Sequence, residues 1–243
     1  AKLAESAIDK GAIAVIVEQK EFENEEKNIF YVPSTLKFLQ DLAKHHRNQL
    51  NIPVIGLTGS NGKTTTKEII HAVLSQRYKV QYTFGNLNNH IGVPLTLLSI
   101  KPEHEIAVIE MGANHQQEIE MLCELAQPNF GYITNFGKAH LEGFGGFEGV
   151  IKGKSELYDY LKDNLQTILV NEHNPIQVEK TIDYDKKITF GAETSDYHFS
   201  EFSQNNLVGL VFQGNQIVSK LTGNYNYTNL CAAATLGLYF NVN

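Results

Sequence analysis

The segment Ile52–Lys67, IPVIGLTGSNGKTTTK, constrains this chain more than any other. An apolar run, Val54-Ile55-Gly56-Leu57, leads into Thr58-Gly59-Ser60-Asn61-Gly62-Lys63-Thr64-Thr65, and a helical pattern follows. Strand, glycine-rich loop and helix in that order are the layout of a phosphate-binding loop. Small residues from Gly59 to Gly62 let backbone N–H groups close around phosphate oxygens. Lys63 reaches the β- and γ-phosphates, and the Thr64 hydroxyl is placed for Mg²⁺. The strict G-x-x-x-x-G-K-[ST] spacing would put its first glycine at Leu57, whereas the glycines present are Gly56 and Gly59. The loop therefore reads as the narrower G-x-x-G-K-T form. An ordinary polar turn before a helix is the alternative. It leaves the coincidence of strand, loop, Lys-Thr pair and helix unexplained.

The 243 residues suffice for one large or two modest domains. A formal charge of −7 without any basic run argues against a nucleic-acid surface, which needs clustered Lys and Arg. A local nucleotide site stays open. Cys123 and Cys231 both fall in helical patterns and read as reduced, buried thiols of a cytoplasmic protein. No apolar run approaches the roughly 20 residues of a membrane span, and no signal peptide is expected. The chain opens without Met, inside a helical pattern (Leu3, Ala4, Ala7, Ile8), and closes on Leu236–Phe240. Further chain on both sides is expected.

Periodicity predicts a helix, a strand at Ala12–Val17, an acidic loop at Glu18–Asn28 and a short strand at Ile29–Val32. A helix then runs from Ser34 to Arg47, and Asn48–Asn51 reads as a hinge. Residues 1–50 look like the remainder of a small α/β domain, and 51–243 like a second domain. In the latter, strands at Val80–Thr83, Ile106–Ile109, Tyr132–Thr134 and Thr167–Val170 alternate with helices at Lys63–Tyr78, Pro94–Leu98, Gln116–Leu125 and Gly149–Leu161. That alternation predicts an α/β fold, a mostly parallel sheet with helices on both faces. Lys187–Phe190, Leu207–Phe212 and Gln216–Leu221 read as a small antiparallel layer, and Asn226–Tyr239 as a helix.

Ligands of open α/β sheets bind beyond the carboxyl ends of the strands. Four polar clusters fall there: the phosphate loop, Gly85–Gly92 (GNLNNHIG), Glu110–His115 (EMGANH) and Asn135–His140 (NFGKAH). Glu110 ends an otherwise apolar strand, where a lone carboxylate is costly unless paired or bound to a cation. It is a metal-ligand candidate, with a hydrogen-bonded carboxylate as the alternative. His140 is either a second metal ligand or a polar loop residue. Lys152 and Lys154 read, on their own, as a solvated helical face.

These clusters resemble the Mur ligases, the ATP-dependent amide-bond-forming enzymes of peptidoglycan synthesis. The G-x-x-G-K-T loop is similar to that of the superfamily. GNLNNHIGVP, EMGANHQQEI and AHLEGFG resemble the members that join D-alanyl-D-alanine to UDP-N-acetylmuramoyl-tripeptide. The resemblance covers nearly the whole chain. It implies a three-domain monomeric enzyme, here with the C-terminal part of the UDP-muramoyl-substrate domain (1–50), the central ATP-binding domain (51–243) and no C-terminal domain. Lys63 would hold ATP phosphates, with Gly59, Ser60, Asn61, Gly62, Thr64 and Thr65 around them. Thr64, Glu110 and His140 would serve two Mg²⁺ ions. Lys154 falls where the family carries a carbamylated lysine, Asn226 matches an adenine-contacting asparagine, and Asn88 and Asn89 would face substrate or the γ-phosphate. Tyr225 departs from the histidine frequent in the family, which puts one local contact in doubt. Another ligase of the same family, or of the folylpolyglutamate type, and a nucleotide-binding fragment inactive by itself are the alternatives.

Overall fold

The computed structural model describes residues 3–242. Its frame is a six-stranded parallel sheet in the order Val80–Tyr82, Ile106–Glu110, Val54–Thr58, Phe130–Ile133, Thr167–Asn171, Lys187–Phe190. Ahead of it come α1 (Ala4–Asp9), β1 (Val15–Val17), β2 (Ile29–Tyr31) and α2 (Thr35–Asn48). The sheet is built from β3 (Val54–Thr58), α3 (Lys63–Leu74), β4 (Val80–Tyr82), α4 (Gly92–Leu98), β5 (Ile106–Glu110), α5 (Glu118–Ala126) and β6 (Phe130–Ile133). It continues through α6 (Leu141–Phe144), α7 (Phe147–Asp163), β7 (Thr167–Asn171), α8 (Pro175–Lys180) and β8 (Lys187–Phe190). The chain then forms β9 (Ser200–Gln204), β10 (Leu207–Phe212), β11 (Asn215–Thr222) and α9 (Tyr225–Tyr239).

Period-two alternation sorts the strands' apolar side chains into two cores. Val54, Ala107, Ile109, Ile133 and Ile168 face α4, α5 and α7. Ile55, Leu57, Val108, Tyr132 and Leu169 face the opposite side, where α9 packs along α3. The phosphate-loop strand is buried at all five positions. Its Gly56 is required by packing, since a Cβ there would lie 2.8 Å from Met111 Cε and 3.1 Å from Pro128.

Two expectations change. Lys187–Phe190 pairs parallel with β7 and closes the main sheet, so it is not part of the antiparallel layer. The crossover that makes it parallel is α8, a six-residue helix started by the Asn174 side chain and Pro175. The antiparallel layer is instead β11-β10-β9, with Ser200–Gln204 as its third strand. Smaller departures are the shorter β1 and two single 3₁₀ turns, Lys20–Phe22 and Glu25–Lys27, within the expected acidic loop.

β1 and β2 pair parallel and share a small core of Ala4, Val17 and Ile29. Helix α2 packs against α4 and α5. Its Arg47, 6% exposed, ties it to the sheet body. Nε donates to Ala126 O at 2.8 Å, Nη2 to Gln127 O at 2.9 Å, and Nη1 to Leu50 O at 3.0 Å. These include the acceptors that the C-terminus of α5 leaves unpaired, a position that also favours a cation. Arg47→Met removes the donors while keeping most of the volume. It should lower stability by about 2–3 kcal/mol through unsatisfied buried carbonyls, read as a fall in the urea midpoint; an unchanged midpoint would show that the clamp contributes nothing.

Candidate functional site

The loop 59–62 and the start of α3 lie at the carboxyl ends of β3, β5 and β6. In α3 the first helical hydrogen bond runs from Thr66 N to Gly62 O, and no side chain caps the helix. The N–H groups of Lys63, Thr64 and Thr65 therefore precede the ladder, at the positive end of the helix dipole, where an anion is favoured. Gly59 has φ +142° and Gly62 φ +77°, both in the region that favours glycine.

The loop is clamped from β6. Asn61 N donates to Asn135 Oδ1 at 3.0 Å, Ser60 N to Asn135 O at 3.1 Å, and Thr134 Oγ1 to Asn61 O at 2.6 Å. Ser60 Oγ donates to Gly137 O at 3.1 Å. Asn135 and Gly137 of the fourth polar cluster thus shape the phosphate loop. Lys63 folds back over the same loop, with Nζ donating to Gly59 O at 2.8 Å. Burial pushes the Lys63 ammonium below its ordinary pKa, opposed by the charge of Glu110.

Glu110 sits opposite, 1% exposed. Its Oε1 accepts from Asn88 Nδ2 at 2.8 Å and from Thr64 Oγ1 at 3.3 Å. Its Oε2 is buried without a hydrogen bond and lies 3.6 Å from Lys67 Nζ. Oε1, beside the Thr64 hydroxyl, is the oxygen that would meet an Mg²⁺ ion shared with phosphate, while Oε2 is ion-paired with Lys67. Among the described residues no group of three or more His, Cys, Asp or Glu side chains could hold a metal by itself.

A cleft of 360 Å³ joins all four clusters, with Lys63, Asn88, Asn89, His90, Glu118 and His140 among its lining. His140 is exposed, with φ +56°, at the start of α6. Asn89 Oδ1 accepts from Gly92 N at 2.9 Å and Ile91 N at 3.1 Å, so its carbonyl end fastens the start of α4. A larger groove of 490 Å³ lies between α5 and α7. Glu120, Glu124, Glu156 and Asp159 line it, a charge that repels phosphate.

Lys154 corrects the view of a solvated face. It is 2% exposed, and Nζ donates to Ala113 O at 3.0 Å and lies 5.0 Å from the centre of the Phe144 ring. Burial, then the charge of Lys63, pushes its pKa down to about 8. Much of it is therefore a neutral, nucleophilic amine at mildly alkaline pH, the form that reacts with CO₂. Asn226 stands apart, on the α9 side of the loop. It is buried, donating to Thr222 O at 2.8 Å and accepting from Asn229 Nδ2 at 3.0 Å. Asn229 in turn lies against Gly62, where a Cβ would come 3.1 Å from its Oδ1.

A family model for the Mur ligase middle domain matches residues 57–237. The chain belongs to the Mur ligase family. The UDP-N-acetylmuramoyl-tripeptide–D-alanyl-D-alanine ligase of Bacillus subtilis (strain 168) is 37% identical over 243 residues, covering 98% of this chain and 52% of that protein. The Escherichia coli (strain K12) ligase of the same name is 39% identical over 210 residues, 82% of this chain and 46% of its own length. Among solved structures, MurF from Acinetobacter baumannii matches with a TM-score of 0.86 at 31% identity, over 99% of this chain and 54% of that one. MurF ligase from Thermotoga maritima in complex with ADP matches with a TM-score of 0.84 at 29% identity, over 100% of this chain and 57% of that one. The chain thus spans about half the length of the curated Mur ligases it matches.

Sequence reasoning singled out Lys63, Thr64, Glu110 and Asn88, which the fold brings together. It missed Thr134 as a clamp and Lys67, which follows Lys63 by one helical turn on the same face. That i, i+4 spacing was the available signal. Gly59→Ala tests the loop. The added Cβ would lie 2.0 Å from Thr134 Oγ1, at a φ that alanine rarely adopts. Strain of about 1–3 kcal/mol, set against the phosphate-binding conformation, lowers nucleotide affinity about ten- to hundredfold by calorimetry. Unchanged affinity would mean that the loop is not the phosphate site.

Proposed function

We propose that this chain is the nucleotide-binding part of an ATP-dependent ligase that joins D-alanyl-D-alanine to UDP-N-acetylmuramoyl-tripeptide in peptidoglycan synthesis. The observation that carries the reading is the phosphate loop facing Glu110 across the Thr64 hydroxyl, with Asn88 reaching the same carboxylate from the adjoining cleft. The names of the relatives supply the substrate pair. Residues 1–50 would belong to the domain that holds the UDP-linked substrate, and 51–243 to the ATP domain. Activity belongs to the longer protein, in the cytoplasm and as a monomer, and the isolated chain is expected not to turn over.

In this reading the N–H groups at the start of α3 and the Lys63 ammonium hold the β- and γ-phosphates, with Gly59, Ser60, Asn61, Gly62 and Thr65 shaping the cradle. Lys63 exchanges its bond to Gly59 O for phosphate oxygens. The terminal carboxylate of the tripeptide attacks the γ-phosphorus as the bond to ADP breaks, leaving an acyl phosphate. The amine of D-alanyl-D-alanine then attacks the acyl carbon, phosphate departs and the amine loses a proton. Asn88 and Asn89 orient the tripeptide end, and Asn226 marks the adenine side. Thr64, Glu110 and His140, with Lys154 if carbamylated, would hold two Mg²⁺ ions, which neutralise phosphate charge. The chain's part is positioning and electrostatics, as phosphoryl transfer demands.

The test is phosphate release by the full-length protein. It should require ATP, the UDP-linked tripeptide and D-alanyl-D-alanine together, and Lys63→Ala should lower it by about 10³-fold or more. Turnover with Lys63→Ala near the wild-type rate would refute the role of the loop. Failure of D-alanyl-D-alanine to stimulate, with another amino acid succeeding, would move the chain to a different ligase of the family.

A further inference from the structure

Lys67 has no part in the mechanism above, yet it is fully buried within the site. Its Nζ donates to Gly85 O at 2.9 Å, lies 3.2 Å from Glu68 Oε1 and 3.6 Å from Glu110 Oε2, and sits 5.6 Å from the centre of the Tyr82 ring. We propose that Lys67 is a positioning residue, fastening the Glu110 carboxylate and the Gly85 end of the 85–92 loop to the helix that carries Lys63. The phosphate loop and the loop bearing Asn88 and Asn89 are then held as one body. The inference rests on the ligase reading, because the 85–92 loop is there the tripeptide-facing element.

Three observations carry it. First, the partners of Nζ belong to three pieces of chain: Glu68 on α3, Glu110 at the end of β5, and Gly85 in the loop after β4. Second, the two oxygens of Glu110 are divided. Oε1 is occupied by Thr64 and Asn88, while Oε2 has no hydrogen bond and faces Lys67. Lys67 is the cationic neighbour that sets how the carboxylate is turned, and Asn88 Nδ2 follows the carboxylate. Third, the middle of the same loop is also tied to the Glu110 strand's exit, with Gly112 N donating to Asn88 O at 2.7 Å. Loss of the Gly85 tether would free the loop's first half while leaving its second half attached. An apolar side chain in place of Lys67 would fill the space but leave Glu110 Oε2 buried and unpaired, so the ammonium supplies both orientation and charge compensation.

The experiment compares Lys67→Met and Lys67→Arg in the full-length protein. Methionine is close to lysine in volume but lacks charge and donors; arginine keeps both at greater bulk. In Lys67→Met, hydrogen exchange of the amides at 85–89 should rise about tenfold, with β3 and β6 unchanged. The KM for the UDP-linked tripeptide should rise about tenfold, while the Kd for ADP without divalent ions stays within about twofold. Lys67→Arg should return both altered readouts toward wild type. A space-filling role predicts the reverse order, with Met tolerated and Arg harmful. Wild-type exchange and KM in Lys67→Met would overturn the proposal, as would a loss of ADP affinity equal to the change in KM. If Lys67→Met does not fold, Lys67→Gln, which is neutral and one bond shorter than lysine, carries the same test of KM against ADP affinity. Absence of ligase activity in the wild type would instead refute the proposed function, and the exchange measurement would still decide the role of Lys67.

Discussion

A carboxylate at the end of a buried strand is the constraint on which this site depends. Residues Ile106–Ile109 bury both faces of β5, and Glu110 follows them without leaving the interior. Such a group is tolerated only with partners. The structure supplies them from neighbouring crossovers. Thr64 comes from the start of α3, Lys67 from one turn further on, and Asn88 from the loop after β4. The Glu110 amide donates to Thr83 Oγ1 at 2.9 Å, which fixes the strand end itself. Three segments distant in sequence are thereby brought to one point. The oxygen without a hydrogen bond, Oε2, is compensated by the Lys67 ammonium.

The opposite wall of the phosphate loop depends on a different interaction. Thr134 and Asn135, just past β6, bond to both the N–H and the C=O groups of the loop. Because β3 lies between β5 and β6, the loop is supported on one side by the β6 clamp and faces the Glu110 group on the other. This is the crevice beyond the strand ends in which open parallel sheets bind ligands. The missing first glycine of the stricter loop pattern is understandable in these terms: Leu57 is a fully buried strand residue in the α3–α9 core, so the turn starts at Gly59.

How much could be read beforehand varied with the physics of each residue. The phosphate loop was legible because its strand, glycines and helix are local signals. Glu110 was legible because a carboxylate closing an apolar run breaks the pattern. The partner of β8 was not: Lys187–Phe190 reads as any short strand, and its parallel pairing depends on a six-residue helix within a polar stretch. β9 escaped notice because Ser200–Gln204 is mostly exposed and carries little apolar alternation. Lys154 reads as a surface residue by its charge alone, yet it stands on the buried stripe of α7, four residues after Val150 and four before Tyr158. The periodicity therefore marked its inward direction, and only its neighbours Phe144 and Ala113, from other segments, were not legible.

The central claim is that the loop and the Glu110 group together serve phosphoryl transfer to a carboxylate. The most direct measurement is isotope transfer with the full-length protein and UDP-linked tripeptide carrying ¹⁸O in its terminal carboxylate. With both carboxylate oxygens labelled, attack of that carboxylate on the γ-phosphorus, followed by displacement of phosphate from the acyl carbon by the amine, predicts one ¹⁸O in each phosphate released. Phosphate free of ¹⁸O, formed while the amide product accumulates, would contradict the account.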